Sequence, residues 1–269
     1  MERTTTPDGL DDNRHELSAS DYACYRVGFP ERTFEELRRL EIGRKGERIL
    51  DFGLGTGTLA RGFAVRGCSV TALEQTPEQI AASKNIAEFE GLQIEWVLGR
   101  AEHTCLPSKH YDSVTAGQCW HWFDRPKVAA EVARVLKPGG QLAIIHFDWL
   151  NIPGSIAEAS EQLMDAFNPL SAKPHLKLGH GVGIYPAWTL DVAKAGFEYI
   201  QTFSFDVVVP YTPQAWRGRV RAHQAVSGKM TSEQIVRFDL ALKGLLEIKY
   251  NDEMLEIPHR VWGLVCTKT

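Results

Sequence analysis

From residue 48 onward, short apolar runs alternate with segments whose apolar residues recur at helical spacing. The run Arg48-Ile49-Leu50-Asp51-Phe52 ends in glycines and predicts a first strand, followed by a helix over 59–66. A second strand is expected over 68–73, and Thr76-Pro77-Glu78-Gln79 opens the next helix, which runs to about residue 90. Thr76 has the position of a cap, with Gln79 spaced to complete a capping box. Strands follow over 92–98 and 111–117. Asp124 caps a helix that reaches Lys137, where Pro138-Gly139-Gly140 stops it, and a fifth strand spans 141–147.

Beyond the fifth strand the alternation lapses. A helix over 156–167 leads into a loop rich in Pro, Gly, Lys and His. The rhythm resumes with a helix over 188–195 and a strand over 199–209. Thr212-Pro213 opens a helix, Thr231-Ser232-Glu233-Gln234 opens a long one at capping-box spacing, and 260–267 reads as a last strand. Strands separated by helices imply right-handed crossovers and a parallel sheet. The expectation is a doubly wound α/β fold with a seven-stranded, mostly parallel sheet. Helical insertions follow strand five and precede strand seven. Residues 18–269 form a single domain in this reading, with lid-like insertions at 150–187 and 211–255.

Composition removes several alternatives. The 269 residues are 43% hydrophobic and 24% charged, with a net charge of −4, which gives no footprint for a long polyanion. Five cysteines lack Cys-x-x-Cys spacing, so neither a zinc site nor a disulfide framework is expected, and a reducing cytoplasm fits best. No apolar run has the length of a membrane span. The start, MERTTTPDGLDDNRHELS, is polar and unlike a secretory signal; about 17 residues are expected to be a loose tail.

The chemistry concentrates after the first strand. In Asp51-Phe52-Gly53-Leu54-Gly55-Thr56-Gly57-Thr58 the glycines permit a tight turn and close approach of a ligand to the backbone. The spacing is not that of a dinucleotide loop: Thr58 stands at the third glycine position, and Asp51 would repel a pyrophosphate but accept from an ammonium group. A nicotinamide-dependent oxidoreductase, the main alternative, would want a glycine at 58 and no acid at 51. Glu74 ends the second strand, where a carboxylate can take a ribose diol.

The string ILDFGLGTGTLA resembles the first motif of class I S-adenosylmethionine-dependent methyltransferases. YDSVTAGQCWHWFDRPKVAAEVARVLKPGGQLAI is similar to the segment around the fourth strand in the ubiquinone-type and trans-aconitate-type branch. The resemblance implies a Rossmann-like fold. It also implies methyl transfer from S-adenosylmethionine to an O, N or C atom of a small organic molecule, with S-adenosylhomocysteine as product. It assigns the cofactor to Gly53, Gly55, Gly57, Glu74 and Gln75, to Ala101 and Glu102 after the third strand, and to Gln118 after the fourth. Glu102 would meet the adenine amino group or lie in water. Tyr25 and Arg26 would cover the methionyl end, or belong to a docking helix with aromatics in the core.

Methyl transfer from a sulfonium needs alignment and dryness more than a fixed catalytic set. The carboxyl ends of the strands are the place to look. His121 and His146 are candidates for base or substrate anchor, with His121 alternatively tied to the following helix. Trp120, Trp122 and Phe123 wall a planar substrate or fill the sheet–helix interface. Arg217 and Arg221, four apart on a helix, would hold an acidic substrate or form a solvated basic face. Lys173, His175, Lys177 and His180 read as a mobile loop without metal spacing. No metal is expected, although Asp148 or Asp112 could supply an oxygen ligand. The partner class is a small molecule, not nucleic acid and not a membrane, and the chain would act as monomer or homodimer. A binding module without turnover is the remaining alternative.

Overall fold

The computed structural model describes residues 25, 27–53, 55, 57–168 and 182–269, apart from the side chain of Gln224. The expected tail, Arg26 and the 173–180 loop lie outside the described residues.

In chain order the helices are α1 (Glu31–Arg39), α2 (Thr58–Val65), α3 (Pro77–Phe89), α4 (Arg125–Val135), α5 (Ile156–Phe167), α6 (Ala187–Lys194), α7 (Pro213–Arg221), α8 (Gln224–Ser227) and α9 (Ser232–Lys249). The strands are β1 (Arg48–Phe52), β2 (Ser69–Glu74), β3 (Glu95–Leu98), β4 (Tyr111–Gly117), β5 (Leu136–Trp149), β6 (Phe197–Tyr211) and β7 (Leu255–Lys268). They form one seven-stranded sheet among the described residues, ordered β3-β2-β1-β4-β5-β7-β6. The pairings β1–β2, β1–β4, β2–β3 and β4–β5 are all parallel. The doubly wound fold expected from the alternation is the fold observed.

Two compact units share the chain. One comprises Gly28–Asp148, Gly183–Asp206 and Arg260–Thr269; the other comprises Met1–Val27, Trp149–Val182 and Val207–His259. Of the segments expected as insertions, residues 150–168 and 211–255 fall in the second unit and residues 183–187 in the sheet unit.

The sheet unit is built on apolar strands. In β1 the period of two turns Leu50 and Phe52 toward α4 and α6, where they join Val128, Val132, Trp188 and Val192 in one buried cluster. α2 lies along β1 and β2. In the other unit α9 packs along α5 and α7, burying Phe238, Leu242 and Leu246 at four-residue spacing.

Several element ends differ from expectation. α4 stops at Val135 because Leu136 turns extended (ψ 141°) and pairs with Tyr111 as the first residue of β5. The Pro-Gly-Gly segment follows inside that strand, at a register shift between Tyr111 and Ser113, with Gly139 at φ +74°. β3 is only four residues long, Glu95–Leu98. Thr76 makes no side-chain cap: its own amide, which Gln79 would take in a capping box, donates instead to Glu74 Oε1 at 3.1 Å. Asp124 likewise caps nothing, because its carboxylate pairs with Lys127 at 2.6 Å. The box at Thr231 and Gln234 is complete, and Thr212 caps α7 through the amide of Ala215.

Candidate active site

The chain order of the sheet reverses at β1, which has β2 on one side and β4 on the other. The carboxyl ends of β1 and β4 therefore flank the crevice where open α/β sheets bind ligands. Two loops meet there. Gly53, at φ +65°, leaves β1, and a Cβ built on it would lie 2.6 Å from Cys119 Cβ in the loop after β4. Only glycine fits that contact and that conformation. Gly55 and Gly57 also have positive φ, and Gly57 is the N-cap of α2, so the helix begins on the glycine turn. The dipole of that helix start favours a ligand's electron-rich atoms, and the Ala60 amide in its first turn is taken by Asp51. The loop is tied down by Ser83 Oγ on the Gly55 carbonyl (2.9 Å) and by Cys119 Sγ on the Phe52 carbonyl (3.2 Å).

Beneath the turn, Asp51 is buried and accepts from Thr115 Oγ1 at 2.5 Å. Burial raises its pKa to about 7 against the opposing hydrogen bonds from Thr115 and the Ala60 amide. At neutral pH it is poised between acid and carboxylate.

Glu74 ends β2 beside the turn, its Oε1 fixed by the amides of Gln75 (2.8 Å) and Thr76 (3.1 Å). Oε2 has no protein partner among the described residues and is available to a diol. Gln75 is exposed next to it, and Ala101 is buried. Glu102 accepts from the amide of Asp124 at 3.2 Å and stands 3.5 Å from Arg100, which brings the loop after β3 to the loop after β4. Gln118 takes a left-handed conformation, φ +56°, uncommon for a residue other than glycine. Its amide donates to the Ile145 carbonyl at 2.8 Å and its side-chain nitrogen donates to the Phe147 carbonyl. The turn after β4 is thereby pinned to the end of β5. A shaped glycine turn over a helix start, with a half-free carboxylate one strand away, suits an adenosyl group carrying an amino-acid tail.

The aromatic segment after β4 divides. Trp120 is fully buried in the sheet–helix cluster, so it fills the interface and does not wall a substrate. Trp122 is exposed, and Phe123 is half-buried with its ring edge-on to Phe52 at 6.3 Å. His121 does reach His146, with ring centroids 5.3 Å apart. His146 is buried against Tyr185 and Trp188, at 4.5 and 4.8 Å, and neither of its ring nitrogens has a hydrogen-bond partner among the described residues. Its Nδ1 stands 3.4 Å from Asp148 Oδ2, which accepts from the Tyr185 hydroxyl. Burial first, then the Asp148 carboxylate, drives the Tyr185 pKa far up, so the phenol stays protonated as a donor. Tyr185, stacked on Trp188 at 4.1 Å, was not legible in the sequence. The only local signal was an aromatic pair three apart, Tyr185-Pro186-Ala187-Trp188, at a helix start.

Tyr25, Arg217 and Arg221 sit in the other unit. Tyr25 packs against α7, where a Cβ on Gly218 would meet its ring at 2.2 Å. Arg217 and Arg221 do share a face, but both bind Asp239 of α9, Arg221 at 2.6 Å. Burial alone would raise the Asp239 pKa; the two guanidinium groups outweigh it and hold it below the usual carboxylate range. The pair is thus an internal ion network, not an open anion clamp or a solvated face. Asp112 is engaged by the Arg48 amide and Lys137. Among the described residues no group of three or more His, Cys, Asp or Glu could hold a metal ion.

Residues 50–144 match the family described as a methyltransferase domain. Over 98 residues the chain is 38% identical to an uncharacterized methyltransferase of Mycobacterium tuberculosis, covering 36% of this chain and 39% of that protein. Methyltransferase GfsG of Streptomyces halstedii is 30% identical over 176 residues, 64% of this chain and 60% of its own length. The chain thus spans less than two thirds of the length of these relatives. Phosphoethanolamine N-methyltransferase 2 of Haemonchus contortus, solved with S-adenosyl-L-methionine, has the same fold at a TM-score of 0.57 and 18% identity, covering 99% of this chain and 60% of that one. The [4+2]-cyclase SpnF has it too, at 0.54 and 20% identity, covering 96% and 92%. The glycine turn, Glu74 and Gln118 all fall within the segment that matches a methyltransferase domain, which is about a third of this chain.

Proposed function

We propose that the chain transfers a methyl group from S-adenosylmethionine to a small organic acceptor. The observation that carries this is the glycine turn closed on Cys119, with Glu74 Oε2 unpartnered among the described residues at the neighbouring strand end. When bound, the cofactor supplies an electrophilic methyl on sulfur. Gly53, Gly55 and Gly57 let its backbone-facing side approach, Glu74 and Gln75 hold the ribose, and Ala101 and Glu102 border the adenine. Asp51 lies under the turn, where a ligand's ammonium group favours its ionised form. The chain aligns the acceptor and keeps water out. His146, with His121 beside it, is the residue proposed to take or hold the acceptor's proton, because its ring nitrogens make no hydrogen bond among the described residues while Asp148 stands 3.4 Å from Nδ1. Tyr185 and Asp148 orient that imidazole.

Relatives named for ubiquinone biosynthesis O-methylation support a small acceptor. Among the described residues Cys68, Cys105, Cys119 and Cys266 form no disulfide, which supports residence in a reducing cytoplasm. No described helix is long and apolar enough to cross a membrane.

Calorimetric titration with S-adenosylhomocysteine, with NADH as control, tests the cofactor. Saturable binding of the first alone is expected, weakened roughly tenfold or more by Glu74→Ala, which removes a diol acceptor. Binding of NADH alone overturns the reading.

A further inference from the structure

Helix α9 presents two faces. Phe238, Leu242 and Leu246 are buried within its own unit. On the other side Val236, Leu240 and Ile248 are 59%, 62% and 84% exposed. These three fall at four-residue spacing with Gly244 completing the row, and a Cβ placed on Gly244 would meet nothing within 4 Å. Nothing in the fold requires glycine there, although glycine weakens a helix interior. An apolar ridge at i, i+4, i+8 and i+12 with a gap in it is the surface that packs against another helix.

The occupant is read from the pattern of charge. Glu233 and Arg237 form one intrahelical pair (2.6 Å) and Lys243 and Glu247 another (3.7 Å), so both halves of the helix carry both signs. Reversed about Leu242, the row matches itself. Val236 then falls opposite Ile248 of a second copy, Leu240 opposite Gly244, and Arg237 opposite Glu247. Leu240 enters the gap at Gly244 twice, once from each side, and each arginine meets a glutamate. We propose that α9 pairs antiparallel with α9 of a second copy of this chain around a two-fold axis beside Leu242. Such an isologous contact closes on itself as a dimer.

Sedimentation equilibrium on the full chain, over micromolar to hundreds of micromolar protein, tests this. The wild type is expected to show a monomer–dimer equilibrium. Leu240→Glu should weaken it roughly tenfold or more by placing a charge in the apolar contact. Arg237→Glu and Glu247→Arg should each weaken it roughly fivefold, and the double variant should recover the wild-type constant. Both single changes also break an intrahelical pair, and the double variant leaves both pairs broken, so its recovery reports only the contact between copies. These positions are exposed, and an unchanged circular dichroism melt shows that each variant folds. A wild type monomeric at every concentration overturns the proposal. So does a dimer indifferent to Leu240→Glu, which uses another face, or a double variant no better than the singles, which has another geometry.

Discussion

Asp51 couples the glycine turn to pH. Its folded pKa of about 7 lies above the ordinary value of 3.8 because burial disfavours the carboxylate. Between those values the folded chain holds a proton that the unfolded chain has lost, so stability falls as pH rises. The contribution is complete below pH 3.8 and gone above about pH 7. The span corresponds to about 4 kcal/mol. Asp51→Asn keeps an acceptor for Thr115 and cannot ionise. Urea unfolding across this range should show a flatter profile for the variant, with a stability above wild type at about pH 8. Parallel profiles would mean that Asp51 titrates normally. A group so placed is costly to the fold, and under the proposed function the ammonium group of the bound cofactor would recover that cost.

Helix α4 shows what joins one element to the next. Glu131 is buried and accepts from the Thr104 amide (2.8 Å), Thr104 Oγ1 (2.6 Å) and Arg134 (2.7 Å). The Arg134 hydrogen bond first, opposed by burial and aided by Thr104, lowers its pKa to about 2. Glu131→Ala should cost about 2 kcal/mol at neutral pH, because it strands the Thr104 amide and removes the charge partner of Arg134, which keeps Ser108 and the Leu106 carbonyl. The cost should shrink as pH falls from 4.5 toward 2, since a depressed carboxylate loses its advantage there. A cost below about 0.5 kcal/mol in denaturant unfolding would show the network to be idle. What could be read from the sequence follows the same division between local and distant partners. β1 over 48–52 and α5 over 156–167 were legible because an apolar run and a helical period are local signals. The box at Thr231 was legible because both its partners are in it. The box at Thr76 failed because Glu74 reaches its amide first, and α4 ended early because Leu136 pairs with Tyr111, 25 residues back. The same holds in the site. The glycine turn and Glu74 are written locally, whereas Tyr185 meets Asp148 across 37 residues and Asp239 meets Arg217 across 22. Only packing reveals such pairs.

The two units are separate clusters of contacts, yet neither is a continuous piece of chain. The chain passes between them at residues 27–28, 148–149, 182–183, 206–207 and 259–260. Three of those passages lie inside β5, β6 and β7, so single strands begin in one unit and end in the other. A strand cannot melt at one end while its other half keeps full ladder order without fraying, and neither unit can be detached by a cut in one linker. Unfolding is therefore expected to be one cooperative transition. S-adenosylhomocysteine at about 100 times its Kd should add about 2.7 kcal/mol to it by mass action. The shift should be the same whether unfolding is followed by tryptophan fluorescence or by far-ultraviolet circular dichroism, since Trp120, Trp188 and Trp262 lie in the sheet unit and Trp149 and Trp216 in the other. Two resolved transitions, with the ligand moving only one, would make the insertion unit an independent folding module carried by the strands.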